Sequence, residues 1–115
     1  MDDLPDPEAN APVTVIRNIG PAFAEGLARA GITTAGALRS LGADAAYVRL
    51  LHAGSKPHFI GYYVLHMALQ GRPWNDCKGA EKAALRKRFD QLVAQNLGDN
   101  ALERQLDAIG LGLRR

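Results

Sequence analysis

Apolar residues recur at three- and four-residue steps along most of the chain, and glycines separate the resulting segments. This spacing is typical of amphipathic helices. Apolar and polar residues nowhere alternate over a useful length, so no sheet is expected. The pattern therefore predicts an all-α fold, a compact bundle of five to six short helices. The stronger predicted helices cover 21–30, 35–41, 45–52, 57–70 and 78–95.

The expected helix ends follow from the residues that interrupt this pattern. Pro21 fits the first turn of a helix, where its missing N–H has no partner to lose. Thr34, Asp44 and Asp76 are expected N-caps. Glycine most readily takes the left-handed conformation that follows a helix. Four glycines are expected to end helices: Gly31, Gly42, Gly54 and Gly71.

The inner faces follow from the same spacing. The 57–70 segment is apolar on most sides, which is typical of a central, buried helix. Its expected inner face includes Ile60, and that of the last helix includes Ala84 and Phe89. Trp74 is expected to fill the gap between two helices, while stacking on a nucleic-acid base is the open alternative.

A bend at Asn18-Ile19-Gly20-Pro21 predicts a corner similar to a helix-hairpin-helix. Asn18 stands where such a turn commonly has its first glycine. Asparagine is the non-glycine residue that best tolerates positive φ, so the substitution is conformationally acceptable. Ile19 is expected to point into the core and to anchor the turn.

The chemistry of this bend comes from its backbone. The first N–H groups of a helix lack internal acceptors and lie at the positive end of the helix dipole. The free amides of Gly20, Ala22 and Phe23 would therefore form a cradle for a phosphate, without reading base sequence. Arg17, Arg29 and Arg39 could surround it. The alternative is a purely structural or protein-binding corner.

Composition and charge fit one small domain with an anionic partner. The chain has 115 residues and a net charge of +2. The first ten residues hold four acidic charges and no basic one, so the remainder carries 14 basic and 8 acidic residues, or +6. We expect an acidic flexible arm at 1–12, a helical domain at 13–95 and a partly helical extension at 96–115.

The polar groups outside the bend predict neither a metal site nor an active site. His58 and His66 are two helical turns apart, too far to share one metal ion, and no spacing of a nucleophile and a base indicates an enzyme. No metal site and no cofactor are expected. A second turn at Ser55 and Lys56, and a basic helix face, could add phosphate contacts. The candidate nucleic-acid-binding residues are Arg17, Asn18, Gly20, Ala22, Phe23, Ser55, Lys56, Lys78, Lys82 and Arg86.

The run "RNIGP…LARAGITTAGALRSLGADAAYVRL", the helix end "ALQGRPWNDC" and the basic segment "EKAALRKRF" resemble the C-terminal domain of the TfoX/Sxy family. The resemblance covers about residues 13–89. It implies a bacterial regulatory domain connected with competence for DNA uptake. Family members carry an α/β domain ahead of this one, whereas only the acidic arm precedes Val13 here, so a stand-alone form of the domain is expected.

These inferences predict a non-enzymatic, nucleic-acid-associated regulatory domain, with non-specific, phosphate-directed DNA binding. The alternative is a protein–protein interaction module or accessory protein, with a regulatory protein as its partner and Phe23 in the contact. The N-terminus has neither the basic start nor the apolar core of a signal peptide, and no apolar run is long enough to cross a bilayer. The protein is expected to be cytoplasmic.

Overall fold

A computed structural model describes residues 10–97, and this part of the protein is built from α-helices, without any β-strand. The all-α class is therefore confirmed. Two short 3₁₀ turns accompany the helices, one before the first helix and one before the last. The elements are the Val13–Val15 turn, α1 (Pro21–Arg29), α2 (Ala35–His52), α3 (Phe59–Leu69), the Trp74–Asp76 turn and α4 (Gly79–Leu97).

The described residues hold four α-helices, so the predicted five to six are not confirmed. The difference lies in α2, where two predicted helices form one element with a sharp kink at Gly42, at φ 82° and ψ 169°. The prediction that Asp44 caps a separate helix is wrong. Its carboxylate instead accepts hydrogen bonds from two residues of other helices.

The kink at Gly42 gives a testable prediction, because its φ and ψ lie in a region that essentially only glycine occupies. Gly42→Ala is expected to lower the free energy of unfolding by about 1–3 kcal/mol. Gly61→Ala, in α3, is the control, since a Cβ there meets Tyr47 only at an ordinary 4.0 Å. Urea unfolding of both variants measures the difference. Equal stabilities would contradict the role given to Gly42.

The other helix ends largely follow the predictions. Thr34 caps α2, since its side-chain oxygen accepts from the Ala37 amide at 3.1 Å. Gly31 follows α1 with φ 84°, and Gly71 follows α3 with φ 70°. After α1, the Ile32 amide donates to the Leu27 carbonyl at 2.8 Å. This is the hydrogen bond that closes a helix through a left-handed residue.

Aromatic rings from α2, α3 and α4 meet at the centre of the core. Phe89 is 1% exposed, and its ring centroid lies 5.5 Å from that of Phe59, 5.9 Å from Tyr47 and 6.0 Å from Tyr62. The Tyr47 hydroxyl also donates to the His58 carbonyl and accepts from the His58 amide, which ties α2 to the start of α3. Phe89 of α4 therefore packs against both α2 and α3, and the three helices share one core.

Three residues expected inside lie on the surface. Ile60 is 54% exposed, Trp74 is 47% exposed, and Ala84 is also exposed. The predictions that placed them inside are wrong: Ile60 lies in the first turn of α3, Trp74 in the turn between α3 and α4, and Ala84 on a side of α4 that does not face the core. On α4 the buried residues are Phe89, Leu92 and Val93.

The two ends of the chain are described only in part. Ala11 and Pro12, which the sequence assigns to the arm, contact the start of α2: the Ala35 amide donates to the Ala11 carbonyl at 2.8 Å, and Pro12 forms an isolated bridge with Thr34. The rest of the arm, at 1–9, and most of the extension, at 98–115, lie outside the described residues.

Candidate nucleic-acid interface

The bend before α1 has the expected backbone. Asn18 takes φ 71°, and it is the only non-glycine residue among those described with a positive φ. Ile19 is 4% exposed and anchors the bend in the core. Within the described residues ahead of the bend, 10–17, there is only the short Val13–Val15 turn and no α-helix, so the helix-hairpin-helix corner is not confirmed.

The N-terminus of α1 presents its backbone to solvent. Gly20 is the N-cap, Pro21 is the first helical residue, and no side chain of residues 10–97 caps this helix end. Gly20, Pro21 and Ala22 are exposed, and Phe23 is half-buried. The amides of Ala22 and Phe23 precede the first internal bond, which runs from the Ala24 amide to the Gly20 carbonyl at 2.9 Å. They are therefore donors without an intrahelical acceptor.

Gly20 is not required by the backbone or by packing. Its φ of −92° and ψ of −177° are extended values that any residue adopts. A Cβ built on it meets no atom within 4 Å. A side chain could therefore fit here, and its absence leaves the α1 amides open to an approaching group. Glycine is a usual choice where a ligand must come close to the backbone.

One hydrogen bond joins this bend to the segment that leads into α4. The Asn18 side-chain amide donates to the Arg72 carbonyl at 2.9 Å, across 54 residues of sequence. Lys78 is exposed and lies six residues after Arg72, immediately before α4. The bend therefore contacts the Arg72 end of the connection between α3 and α4, and Lys78 lies at the other end of that connection.

Arg72 fixes the loop between α3 and α4. Its guanidinium donates to both carboxylate oxygens of Glu81, at 2.8 and 2.9 Å, to Asp76 at 3.0 Å, and to Gln70 at 2.7 Å. Its hydrogen bond to Glu81 is the main reason that the pKa of Arg72 is raised, and the same bond lowers the pKa of Glu81. The prediction that Asp76 caps α4 is wrong, because its carboxylate belongs to this cluster.

The basic side of α4 lies over aromatic rings of α3. The Lys82 ammonium is 4.9 Å from the centroid of the Tyr63 ring, and the Arg86 guanidinium is 5.3 Å from that of Phe59. Such cation–π contacts restrain long side chains while leaving their charge at the surface. Arg86 also pairs with Asp90 at 3.1 Å. We call Lys78, Lys82 and Arg86 the basic ridge.

The pairing of these residues with α3 shows how the ridge runs. Lys82 is opposite Tyr63 and Arg86 is opposite Phe59, so α4 runs antiparallel to α3. The ridge therefore begins beside the Arg72 loop, where the bend at Asn18 also lies, and runs toward the start of α3. Ser55 and Lys56 lie in the α2–α3 connection, at the far end of α3 from the bend. The bend, the basic ridge and the Ser55–Lys56 turn thus follow one another along the pair formed by α3 and α4. The bend and the Ser55–Lys56 turn lie toward opposite ends of α3, so the fold does not bring them together.

The remaining arginines do not form the ring expected around the bend. Arg17 is exposed and adjoins it, whereas Arg29 lies in the last turn of α1, two turns away from Pro21. Arg39 lines a cavity of about 270 Å³ between α2 and α3, together with His66 and Gln70. The basic ridge therefore provides a better-defined arrangement of positive charge than Arg17, Arg29 and Arg39 do.

A second polar cluster joins three helices and was missed by the sequence reasoning. Tyr62 donates its phenolic proton to Asp44 at 2.6 Å, and Arg88 donates to the other carboxylate oxygen at 2.8 Å. The Tyr62 oxygen then accepts from His66 Nε2 at 3.2 Å, which assigns the imidazole proton to Nε2. Every group here has a partner within the fold, so the cluster is structural, holding α4 to α2 and α3.

This cluster predicts an acid-sensitive contribution to stability. Burial by itself raises the pKa of Asp44, but the hydrogen bonds from Tyr62 and Arg88, with the Arg88 and His66 charges, lower it below its ordinary value of 3.8. A lowered folded-state pKa stabilises the fold above pH 3.8, and this contribution is lost as the pH falls further. Thermal melts between pH 3 and pH 7 should show a smaller acid loss for Asp44→Asn than for the native chain. Parallel curves would contradict the assignment.

The described residues contain no arrangement of three or more His, Cys, Asp or Glu side chains that could hold a metal ion. His66 is engaged with Tyr62 and Asp44, while His58 caps the start of α3 through its backbone. Cys77 is buried beside Tyr63 and Met67, and that burial raises the pKa of its thiol. Between residues 10 and 97, no helix combines the length and apolar character that a membrane crossing requires.

The described residues form a small all-helical domain in which an exposed helix N-terminus is linked, through the Asn18–Arg72 hydrogen bond, to the connection that leads into a basic helix. The sequence model of the TfoX C-terminal domain family matches residues 9–89, so the chain belongs to this family. The resemblance proposed from the sequence is therefore confirmed. No curated protein matches the sequence.

A solved structure is similar to this chain in both sequence and fold. It is the crystal structure of an uncharacterized protein from Listeria monocytogenes, which is 30% identical to this chain. The match has a TM-score of 0.63 and covers 71% of this chain and 93% of the Listeria chain. The similarity therefore extends over nearly all of that protein.

Proposed function

We propose that this protein is a non-catalytic regulatory domain that binds DNA through its phosphates, independently of base sequence. The observation that carries the proposal is the uncapped, exposed N-terminus of α1, joined by the Asn18–Arg72 hydrogen bond to the segment that begins the basic ridge. The amides supply short-range donors, and the ridge supplies the charge that attracts a polyanion. A role related to competence regulation extends this proposal from the family to which the chain belongs.

Two independent features of the bend support phosphate binding over a purely structural corner. A structural corner would gain stability from a side-chain cap, yet the N-cap position holds glycine, although its backbone and surroundings permit other residues. Helix N-termini with free amides are common anion sites. The ridge adds three cations, and two of them, Lys82 and Arg86, lie over aromatic rings, so less rotamer freedom is lost when these two meet a phosphate.

The alternative, a protein-interaction module with Phe23 as its apolar contact, has less support. Phe23 is only half-exposed and packs against the core, so it offers a small apolar surface. The large apolar side chains exposed among the described residues are Val15, Ile60 and Trp74, which belong to three different elements or turns. Single exposed apolar residues are ordinary and do not define a docking surface.

Substitution at Gly20 separates phosphate binding from folding. An aspartate at an N-cap accepts hydrogen bonds from the first-turn amides, and it stabilises a helix by a few tenths of a kcal/mol more than glycine does. Gly20→Asp is therefore expected to keep or slightly raise stability. It should lower the affinity for labelled duplex DNA by about tenfold or more, because a charge-assisted hydrogen bond to phosphate is lost. Affinity is measured by fluorescence anisotropy at low salt.

The matched control is Thr34→Asp, which adds the same charge at the N-terminus of α2, where a side chain already caps the helix. Its affinity should stay within about twofold of the native value, because the capping position is already occupied and only the net charge changes. If Gly20→Asp and Thr34→Asp weaken binding equally, the effect is one of net charge, and the α1 amides do not bind phosphate. Absence of DNA binding by the native chain at low salt would end the proposal.

A further inference from the structure

Trp74 is the one tryptophan of the chain, and its side chain is 47% exposed. The other Phe and Tyr side chains between residues 10 and 97 are buried or half-buried, and all of them except Phe23 contact one another around Phe89 or along α3. Trp74 makes no ring contact of this kind and is not part of the core. Trp74 therefore offers an aromatic face at the surface of the protein.

The turn that carries Trp74 is firmly held on both sides. Arg72 and Asp76 form an ion pair across it, with 3.0 Å between Nε and Oδ2. Within the turn, the Asp76 amide donates to the Pro73 carbonyl at 3.0 Å, and the Cys77 amide donates to the Trp74 carbonyl at 3.3 Å. Cys77 is itself 4% exposed. The indole is thus presented to solvent from a fixed backbone, so a ligand that stacks on it orders little additional chain.

The neighbours of Trp74 are those of the proposed phosphate site. Two residues before it, the Arg72 carbonyl accepts from Asn18 of the bend, and four residues after it Lys78 begins the basic ridge. The carboxylates nearby, Asp76 and Glu81, are both paired with the Arg72 guanidinium, which reduces their repulsion of a phosphate. Along the chain, the exposed indole therefore lies between Arg72, which holds the bend, and Lys78, which begins the basic ridge. Both the bend and the ridge attract a polyanion.

We propose that the domain prefers single-stranded nucleic acid, with one unpaired base stacked on Trp74 while the neighbouring phosphates contact the bend and the basic ridge. This inference rests on the proposed function, because it needs the phosphate contacts. A base in a duplex is stacked between its neighbours and does not offer a face to a surface indole. In a single strand every base has such a face, and stacking on an aromatic side chain tolerates any sequence.

Tryptophan fluorescence tests the contact directly, because the signal comes from Trp74 alone. A short oligothymidylate should quench and shift the emission in a saturable manner at low salt. Inorganic polyphosphate, which has phosphates but no bases, should bind with little change in emission. Equal changes with both ligands would show that Trp74 senses only charge, and this would overturn the inference.

Variants then compare a single strand and a duplex of the same sequence by anisotropy. Trp74→Leu is expected to weaken single-strand binding by about tenfold, the loss of one stacking contact, and to leave duplex binding unchanged. Trp74→Phe should recover part of the loss. Ile60→Ala, which removes an exposed apolar side chain of α3 outside this surface, should bind both ligands like the native chain.

The outcomes separate this inference from the proposed function. If the native chain binds single strand and duplex equally well and Trp74→Leu changes neither affinity, phosphate binding stands and the single-strand preference is wrong. If the duplex is bound more tightly than the single strand, the inference is also wrong. If the native chain binds neither nucleic acid, both proposals fail.

Discussion

Replacing Phe89 with alanine is expected to lower the free energy of unfolding by about 3–5 kcal/mol. Phe89 is 1% exposed and contacts rings from α2 and α3, so its removal leaves a cavity where three helices meet. Small domains are stable by only about 5–15 kcal/mol. The variant should therefore lose much of its stability, which urea unfolding followed by circular dichroism measures.

The control for Phe89→Ala is Ile60→Ala, which removes a large apolar side chain that is 54% exposed. A surface change of this kind usually alters stability by less than about 0.5 kcal/mol. Comparable losses from the two variants would contradict the placement of Phe89 at the centre of the core. Since α4 carries Phe89 together with Lys82 and Arg86 of the basic ridge, the same result would also question the position of the ridge.

Removing the basic ridge is expected to abolish most of the salt dependence of DNA binding. If Lys78, Lys82 and Arg86 each contact one phosphate, the affinity of the native chain should fall about 40-fold between 50 and 200 mM salt. In the triple variant Lys78→Gln, Lys82→Gln, Arg86→Gln, the same change in salt should alter affinity only slightly, and binding at 50 mM should be much weaker. Anisotropy titrations of labelled duplex DNA at several salt concentrations give both slopes.

A triple variant with the same loss of charge elsewhere is the control. Arg29, Arg49 and Lys87 are exposed and lie outside the candidate set. Their replacement by glutamine removes three positive charges, as in the ridge variant, but should preserve most of the salt slope, because these residues do not contact phosphate. Identical slopes for the two triple variants would show that only net charge matters. The ridge would then have no special role.

Local features of this fold could be predicted from sequence because their causes are local. The positive φ values of Asn18, Gly31 and Gly71 follow from which residues tolerate that conformation, and the capping of α2 by Thr34 follows from side-chain chemistry. The open N-terminus of α1 is of the same kind, since Gly20 has no side chain with which to cap it. These features needed no knowledge of which helices pack together.

Features that depend on tertiary packing could not be predicted in this way. Asp44 and Asp76 were expected to cap helices, since aspartate often does so, but Asp44 pairs with Arg88 of another helix and Asp76 pairs with Arg72 four residues before it. The pairing of Asp44 with Arg88 spans 44 residues and has no local signal. The cluster around Arg72 did have a weak local signal in the sequence. Three side chains that can accept hydrogen bonds, those of Gln70, Asp76 and Glu81, flank a single arginine. The exposure of Trp74 likewise depends on how its turn is anchored.

The central claim is that the free amides at the start of α1 bind nucleic-acid phosphate, and amide-resolved NMR tests it most directly. Titration of the ¹⁵N-labelled protein with a short DNA duplex at low salt should move the Ala22 and Phe23 amide resonances most, with saturable shifts accompanied by those of Gly20 and Lys78. Shifts confined to other parts of the chain, with Ala22 and Phe23 unmoved while DNA is bound, would contradict it.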